Sequence, residues 1–336
     1  MNPIIVTNAG FAAWPEWSAR TRVVAASPGT RSASDPHRVP RSRFRALRAA
    51  WELFRHRREA DCYLVLADLT GFLLSALLRT WPGRRPPVFF TATIWTWPRF
   101  PLERGLRRAM FRYIRPAIRR IFVHSRVEIE NYHRVFGLPR ELFRFVPFCH
   151  QLTGYDYEVR DDGYVWAGGN GDRDYRTFIE AVRPLRVPVL INATRQELFT
   201  GIDIPPHVTI RGTTPEGFRR NLAACRVAVV PMEGGKLHPG GQQTYLAAMA
   251  MGKPVIVTDP AGGRDYIDDG RDGILVEPGD VEGLRRSLEG LLEDPDLRVR
   301  MGRHARERAA GMTEEWRGTT LLAIIEEELS RQEIHH

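Results

Sequence analysis

Residues 239–259 read PGGQQTYLAAMAMGKPVIVTD, and three kinds of local structure follow one another along them. Gly240 and Gly241 form a loop, residues 242–251 form a helix rich in Ala and Met, and Val255, Ile256 and Val257 form a β-branched strand. A turn at Met251-Gly252-Lys253-Pro254 separates helix from strand. Without Cβ atoms the two glycines let a ligand approach the backbone, and the first helical turn leaves N–H groups without intrahelical partners. Such a start attracts anions, phosphate above all. The strand has the composition of one buried on both faces. The stretch reads as a phosphate-cradling unit of an α/β protein, with an ordinary helix-to-strand connection as the alternative.

The surrounding chain is long enough, at 336 residues, for two domains, and its 43% hydrophobic content suits a globular protein. Cys62, Cys149 and Cys225 lie far apart, fit neither a disulfide framework nor a zinc spacing, and read as buried thiols in a reducing cytoplasm. The N-terminal run MNPIIVTNAGF has no basic region before its apolar residues, and the apolar stretch at 69–78 is too short to span a bilayer. The expectation is a cytoplasmic protein. Its net charge of +9 comes from arginine, the only lysines being Lys236 and Lys253, and this alone does not argue for nucleic acid.

Strand and helix patterns alternate along the first half. Strands are expected at 3–7, 22–26, 61–67, 88–94, 121–124 and 143–148, with an irregular loop at 27–41. Helices are expected at 43–57, with Phe44, Leu47, Trp51 and Phe54 on its apolar face, and at 70–80 and 103–118. Another opens at Ser125, where Glu128 completes a capping box. Residues 151–162 lack periodicity and are read as an interdomain linker. A second series has strands at 164–167, 187–192, 208–211, 227–230, 254–258 and 273–276. Its helices are expected at 174–184, 214–224, 242–251, 280–292 and 295–310, and a final helix from Thr313 carries Trp316, Leu321, Leu322 and Ile325 on its apolar face. The expected domains are 1–150 and 163–312, with 313–336 as a closing helix.

Loops just after strands are where a doubly wound sheet binds ligands. Gly168, Gly169, Asn170 and Arg173 follow the strand ending at Ala167, and the arginine can hold a diphosphate or pair with Asp172 or Asp174 on a solvated turn. Glu233 can accept from sugar hydroxyls, while Lys236 and His238 can touch phosphate, all three standing before the glycine-rich helix start. Neither GxGxxG after the first strand nor GxxxxGK[ST] occurs, which argues against a nicotinamide dehydrogenase and a P-loop enzyme. Residues 90–111 interleave Trp95, Trp97 and Phe100 with Arg99, Arg104, Arg107 and Arg108. Such a stretch either lies on an anionic membrane face or packs by its aromatic stripe with its arginines in water.

The second half resembles the C-terminal domain of retaining glycosyltransferases with the GT-B fold, the large family (glycosyl transferases group 1) that includes glycogen and sucrose synthases. The resemblance rests on AMAMGKPVI at 248–256, Asp265-Tyr266, GRDGILVEPG at 270–279, Asp294-Pro295 and GRHARERA from Gly302. It implies an α/β chain of two Rossmann-like domains whose parallel sheets face each other across a cleft, with a last helix crossing back to the first domain. It further implies a nucleotide diphosphate sugar as donor, no metal or other cofactor, and a glycan, lipid-linked or small-molecule acceptor on the first domain. By the same resemblance Arg173 stands where a basic residue pairs with the donor diphosphate. Gly240, Gly241, Gln242, Gln243 and Thr244 match the loop and helix start that contact the sugar and distal phosphate, with Arg173 and Gln243 as the catalytic pair.

Front-face attack with the leaving phosphate as base is the implied mechanism, and it needs no protein nucleophile. The chain departs from the family pattern where two glutamates eight positions apart are replaced by Pro239 and Ala247. The histidine usual near Thr93 is also missing. Glu233, Gln242 or Gln243 can replace the lost hydrogen bonds. The alternatives are a GT-B-like nucleotide- or glycan-binding scaffold without catalysis and a sugar nucleotide epimerase.

Overall fold

The computed structural model of the protein describes residues 3–7, 17, 22–25, 43–258 and 262–333. It divides into two compact units, Met1–Pro147 with Glu315–His336, and Phe148–Glu314. The loop expected at 27–41 and Asp259 lie outside the described residues.

In the first unit six strands form one parallel sheet: β1 (Ile4–Thr7), β2 (Arg22–Ala25), β3 (Cys62–Leu66), β4 (Val88–Thr91), β5 (Ile118–Val123) and β6 (Phe143–Phe145), in the order β2-β1-β3-β4-β5-β6. The chain runs outward from β1 to β2 and returns beyond β1 to β3, so the switch point lies between β1 and β3. Every residue of β3 and β4 is buried, as their unbroken apolar and β-branched composition requires. Helix α1 (Arg43–Arg55) precedes β3, α2 (Leu69–Thr80) and α3 (Pro101–Ile114) follow β3 and β4, and α4 (Arg126–Phe136) follows β5. Asp68 caps α2 by accepting from the N–H of Thr70 at 2.9 Å and of Gly71 at 3.2 Å.

Two elements here differ from their sequence pattern. The helix expected at 103–118 stops at Ile114 and continues only as a 3-10 turn at Arg115–Ala117, because Pro116 has no N–H for the helical ladder. In α1 the buried residues are Ala46, Ala50, Leu53 and Phe54, while Phe44, Leu47 and Trp51 are exposed. The alanines let α1 lie close against α2, and the larger side chains are left outside.

The capping box at Ser125 and Glu128 is present. The Glu128 carboxylate is buried and accepts from the N–H of His124 at 2.7 Å and of Ser125 at 2.9 Å, from the Tyr132 hydroxyl at 2.8 Å and from Thr93 Oγ1 at 3.2 Å. Burial nevertheless raises its pKa to about 7, with those bonds opposing the shift.

In the second unit β7 (Val165–Gly168), β8 (Val189–Asn192), β9 (Val208–Arg211), β10 (Val227–Val230), β11 (Val255–Thr258) and β12 (Ile274–Val276) form a parallel sheet in the order β12-β11-β10-β7-β8-β9. Its switch point lies between β7 and β10. The helices are α5 (Tyr175–Val182), α6 (Pro215–Ala224), α7 (Gln242–Ala250), α8 (Val281–Glu293) and α9 (Pro295–Ala309). Helix α9 crosses so near the turn after α7 that a Cβ on Gly302 would lie 2.2 Å from the carbonyl oxygen of Gly252.

Residues 151–162, read from sequence as a linker, are held to this unit. Leu152 is buried in its core, and the N–H groups of Arg160 and Asp162 donate to the carbonyls of Ala223 and Ala224. Lys253 is buried with Nζ donating to the carbonyls of Arg160 and Cys225, the latter at 2.8 Å.

The last helix, α10 (Glu314–Glu333), packs Leu321, Leu322 and Ile325 against Ile5, Leu64 and Phe89 of the first unit. Its buried Glu328 takes Arg119 Nε at 2.8 Å and Arg120 Nε at 2.9 Å. Trp316, expected on that apolar face, is 36% exposed. All three cysteines are buried thiols, and among the described residues no helix is long and apolar enough to cross a membrane.

Two outcomes follow for stability. The Glu128 pKa is raised on folding, so its contribution is present below the unfolded carboxyl value of 4.5 and is lost as pH rises through about 7. Glu128→Gln should shrink the fall in stability between about pH 5 and about pH 8 by roughly 2–3 kcal/mol, read from urea midpoints; an unchanged pH dependence would acquit this carboxyl. Gly302→Ala should destabilise the second unit by roughly 1–3 kcal/mol in the same measurement, because the backbone of Gly252 has no room for a methyl.

Candidate functional site

The carboxyl ends of β7 and β10 flank the switch point of the second unit, and the sequence-predicted residues gather there. Beyond β7 the backbone turns through left-handed conformations at Gly169, φ +115°, and Asp172, φ +49°. A Cβ on Gly169 would stand 2.7 Å from the guanidinium of Arg173. That guanidinium is folded back into the loop, with Arg173 only 8% exposed. Its Nε donates to Gly168 O at 2.9 Å, Nη1 to Gly171 O and Met232 Sδ, both at 2.8 Å, and Nη2 to Thr244 Oγ1 at 3.2 Å. Among the described residues no carboxylate hydrogen-bonds it, and burial lowers its pKa, opposed by the charges of Tyr175 and Asp172. Of the two sequence readings, pairing with Asp172 or Asp174 on a solvated turn does not hold. Asp174 instead caps α5 through the Thr177 N–H at 3.0 Å, and Asp172 takes Lys236 Nζ at 3.0 Å.

Thr244 belongs to the first turn of α7, whose N-cap is Gly241 with φ +79° and no side-chain cap. Cβ atoms on Gly240 and Gly241 would lie 2.5 Å and 2.9 Å from Met232, so both glycines are set by the close approach of this loop to β10. Gln242 is buried, and Gln243 donates through Nε2 to Gln151 Oε1. The start of α7 and Arg173 thus bring backbone N–H and guanidinium donors close together, which is the chemistry of an anion site.

The other predicted residues have partners of their own. Lys236 Nζ sits 2.8 Å from Glu233 as well as contacting Asp172, and these paired charges raise its pKa. His238 Nε2 lies 4.0 Å from the Asp172 carboxylate. Asn170 Oδ1 accepts from the N–H of Thr194 at 2.9 Å and of Arg195 at 3.1 Å, tying the loops after β7 and β8 together. Of the departures, Ala247 is buried in α7. Sequence reasoning missed Met232 and Thr258. Met232 lies under the guanidinium, and Thr258 Oγ1 bonds both the N–H and, at 2.9 Å, the carbonyl of Met232. A lone methionine after a strand carries no signal for such a role.

The first unit holds a cavity of about 440 Å³ at the carboxyl ends of β3 and β4, lined chiefly by Asp68, Phe72, Trp95, Arg107, Met110 and Phe111. Trp95 is buried there and donates through Nε1 to Ala67 O at 2.9 Å. Ala92, φ +52°, bends the loop after β4 around the opening. Asp68 uses Oδ1 for the cap of α2, while its buried Oδ2 has no hydrogen-bond partner among the described residues, and burial raises its pKa. Of the sequence-singled arginines, Arg104 and Arg108 donate to the carbonyls of Arg134 and Val135 at the end of α4. Arg107 pairs with Glu103 and donates to Thr96 O at 2.7 Å.

Known proteins share both sequence and fold with this chain. EpsD of Bacillus subtilis (strain 168), by name a glycosyltransferase, is 36% identical over 193 residues, which is 53% of this chain and 49% of that protein. The sulfoquinovosyl transferase SQD2 of Arabidopsis thaliana is 32% identical over 128 residues, 37% of this chain and 23% of that protein. The chain thus spans half or less of the length of these curated relatives. Among solved structures, the sucrose-phosphate synthase of Thermosynechococcus elongatus superposes with a TM-score of 0.69 at 17% identity over the whole of both chains. HepE of Anabaena, in complex with UDP and glucose, gives 0.72 at 15% identity over 98% of this chain and all of that one. These likenesses show the fold, the two-domain α/β architecture of GT-B proteins, and residues 173–294 match the family model for glycosyl transferases group 1.

Proposed function

We propose that this protein is a glycosyltransferase that moves a sugar from a nucleotide diphosphate sugar to an acceptor with retention at the anomeric carbon. The observation that carries the reading is the buried Arg173 guanidinium, whose hydrogen-bond partners among the described residues are backbone carbonyls, a hydroxyl and a thioether but no carboxylate. A buried charge without a contacting counterion is costly, and a diphosphate at the start of α7 supplies that contact. As the bond to the sugar breaks, negative charge grows on the distal phosphate. Arg173 and the first N–H groups of α7, already oriented and shielded from water, stabilise that charge without reorganisation. They do the work that a metal ion does in other transferases, so the reaction is proposed to run without one.

Gly168, Gly169 and Asn170 shape the donor loop, and Gly240, Gly241, Gln242, Gln243 and Thr244 frame the phosphate and sugar. Glu233 and Lys236, now paired with each other, exchange that contact for sugar hydroxyls and phosphate. The UDP and UDP-glucose in the HepE structures support a uridine donor. The acceptor is proposed to occupy the cavity of the first unit, its apolar body against Phe72, Trp95 and Met110 and a hydroxyl donating to Asp68 Oδ2. A second reading, a binding protein without turnover, is favoured by Pro239 and Ala247 at the two glutamate positions.

A thermal-shift panel of UDP-, GDP-, ADP- and dTDP-sugars should raise the melting temperature with the uridine class. Transfer and product configuration are then followed by NMR. Arg173→Ala should abolish the shift and lower kcat/KM by roughly 2–4 kcal/mol of transition-state stabilisation. Binding without transfer to any acceptor would favour the second reading, and an undiminished Arg173→Ala enzyme would remove the guanidinium from the mechanism. Asp68→Asn keeps the cap of α2. It should raise the acceptor KM while leaving the donor-induced shift intact, and an unaltered KM would place the acceptor elsewhere.

A further inference from the structure

Exposed apolar side chains are unevenly distributed over this protein. Of the fourteen large ones that are well exposed among the described residues, eleven lie between Phe44 and Tyr113. Isolated exposed apolar groups need no explanation, but such a concentration does. They stand on adjoining elements, since α2 packs between α1 and α3. Phe44 and Leu47 are 86% and 52% exposed on α1, Leu102 and Leu106 are 69% and 63% exposed on α3, and Trp97 and Phe100 lie in the loop just before α3.

Helix α3 is the clearest case. Of its fourteen residues only Phe111 and Ile114 are buried, so its first ten residues present their leucines outward. A helix that hides its apolar face inside a domain does not do this.

Charge follows the same distribution. Fifteen arginines and five acidic residues fall between Arg43 and Arg115, an excess of ten positive charges in a chain whose total is +9. Arg45 and Arg48 accompany Phe44 and Leu47, while Arg104, Arg108 and Arg112 are exposed along α3 and Arg115 in the turn that follows it. A protein partner complementary to this face would need an acidic groove shaped around separate protrusions. A bilayer with anionic headgroups needs neither shape nor register, and it takes arginine and aromatic side chains at the same depth.

We propose that the outer face of α1, α2 and α3 docks this protein on a membrane surface rich in anionic lipid. Arg45, Arg112 and Arg115 contact the headgroups, Arg104 and Arg108 add positive charge to the face while bonded to the end of α4, and Phe44, Leu47, Trp97, Phe100, Leu102 and Leu106 enter the interface. Trp95, which the sequence grouped with them, is buried in the fold and takes no part. The proposal is independent of the donor reading, because docking needs neither nucleotide nor transfer.

The test is co-sedimentation of the full chain with vesicles of phosphatidylcholine, alone and mixed with phosphatidylglycerol, at low and high salt. The protein should sediment with the mixed vesicles at low salt and be released by high salt. Leu102→Glu/Leu106→Glu and Phe44→Glu/Leu47→Glu should each weaken that binding about tenfold or more with an unchanged melting temperature, since all four positions are exposed. Failure to sediment with the mixed vesicles, equal sedimentation without the anionic lipid, or undiminished binding by both variants would overturn the proposal. So would self-association in vesicle-free solution that the same substitutions abolish, which would assign the face to a second copy of the chain.

Discussion

A guanidinium withdrawn from water, with no carboxylate among the described residues in hydrogen-bond contact, constrains everything around it. Arg173 is satisfied only because the loop after β7 turns its carbonyls inward at Gly168 and Gly171. That inward turn requires the left-handed Gly169, whose missing Cβ leaves room for the guanidinium. Met232 closes the underside and is clamped to β11 by Thr258. Thr244 completes the set from the start of α7. Four segments distant in sequence are thereby fixed relative to one positive charge, and because water is excluded the field of that charge is weakly screened. A solvated arginine in the same loop would have cost less and attracted less.

The alternation of strand and helix was legible because buried parallel strands are continuous apolar runs and their helices carry distinct caps. Ser125 with Glu128 shows this at a single point. The boundaries that moved did so for local reasons, such as Pro116. Other differences required tertiary information. Nothing in Phe44, Leu47 and Trp51 says that the alanines between them make the buried side of α1. Nor does irregular backbone reveal whether it is covered, as residues 151–162 are. The glycines singled out in the sequence do lie in the loops after β7 and before α7. The pairings of Lys236 with Glu233 and of Asn170 with the loop after β8 depend on chain that arrives from elsewhere. The cavity of the first unit was not legible at all, because its lining comes from β3, α2, the loop after β4, α3 and α4.

The two units are built to different tolerances. In the second, α9 meets the turn after α7 at a distance that only glycine allows, and Lys253 ties two loops to the core. In the first, α3 buries two side chains and borders a cavity. Few buried apolar contacts mean a low cost of local opening, so α3 is, among the described helices of the first unit, well suited to adjust to an occupant. Under the proposed reading, a donor that must be held rigidly and an acceptor that must enter and leave make opposite demands, and the packing of the two units differs in the corresponding sense.

The burial of all three thiols has a practical side. Cys225, beside the Lys253 contact, has its pKa pushed up to about 12, and burial drives Cys62 higher still. Thiolate is the reactive species, so neither sulfur presents a nucleophile at neutral pH. Cys149 is shielded by the fold as well. A cysteine introduced on an exposed position such as Val299 would therefore be the fastest-reacting thiol on the protein, and spectroscopic probes can be attached there without first stripping the chain of its own cysteines.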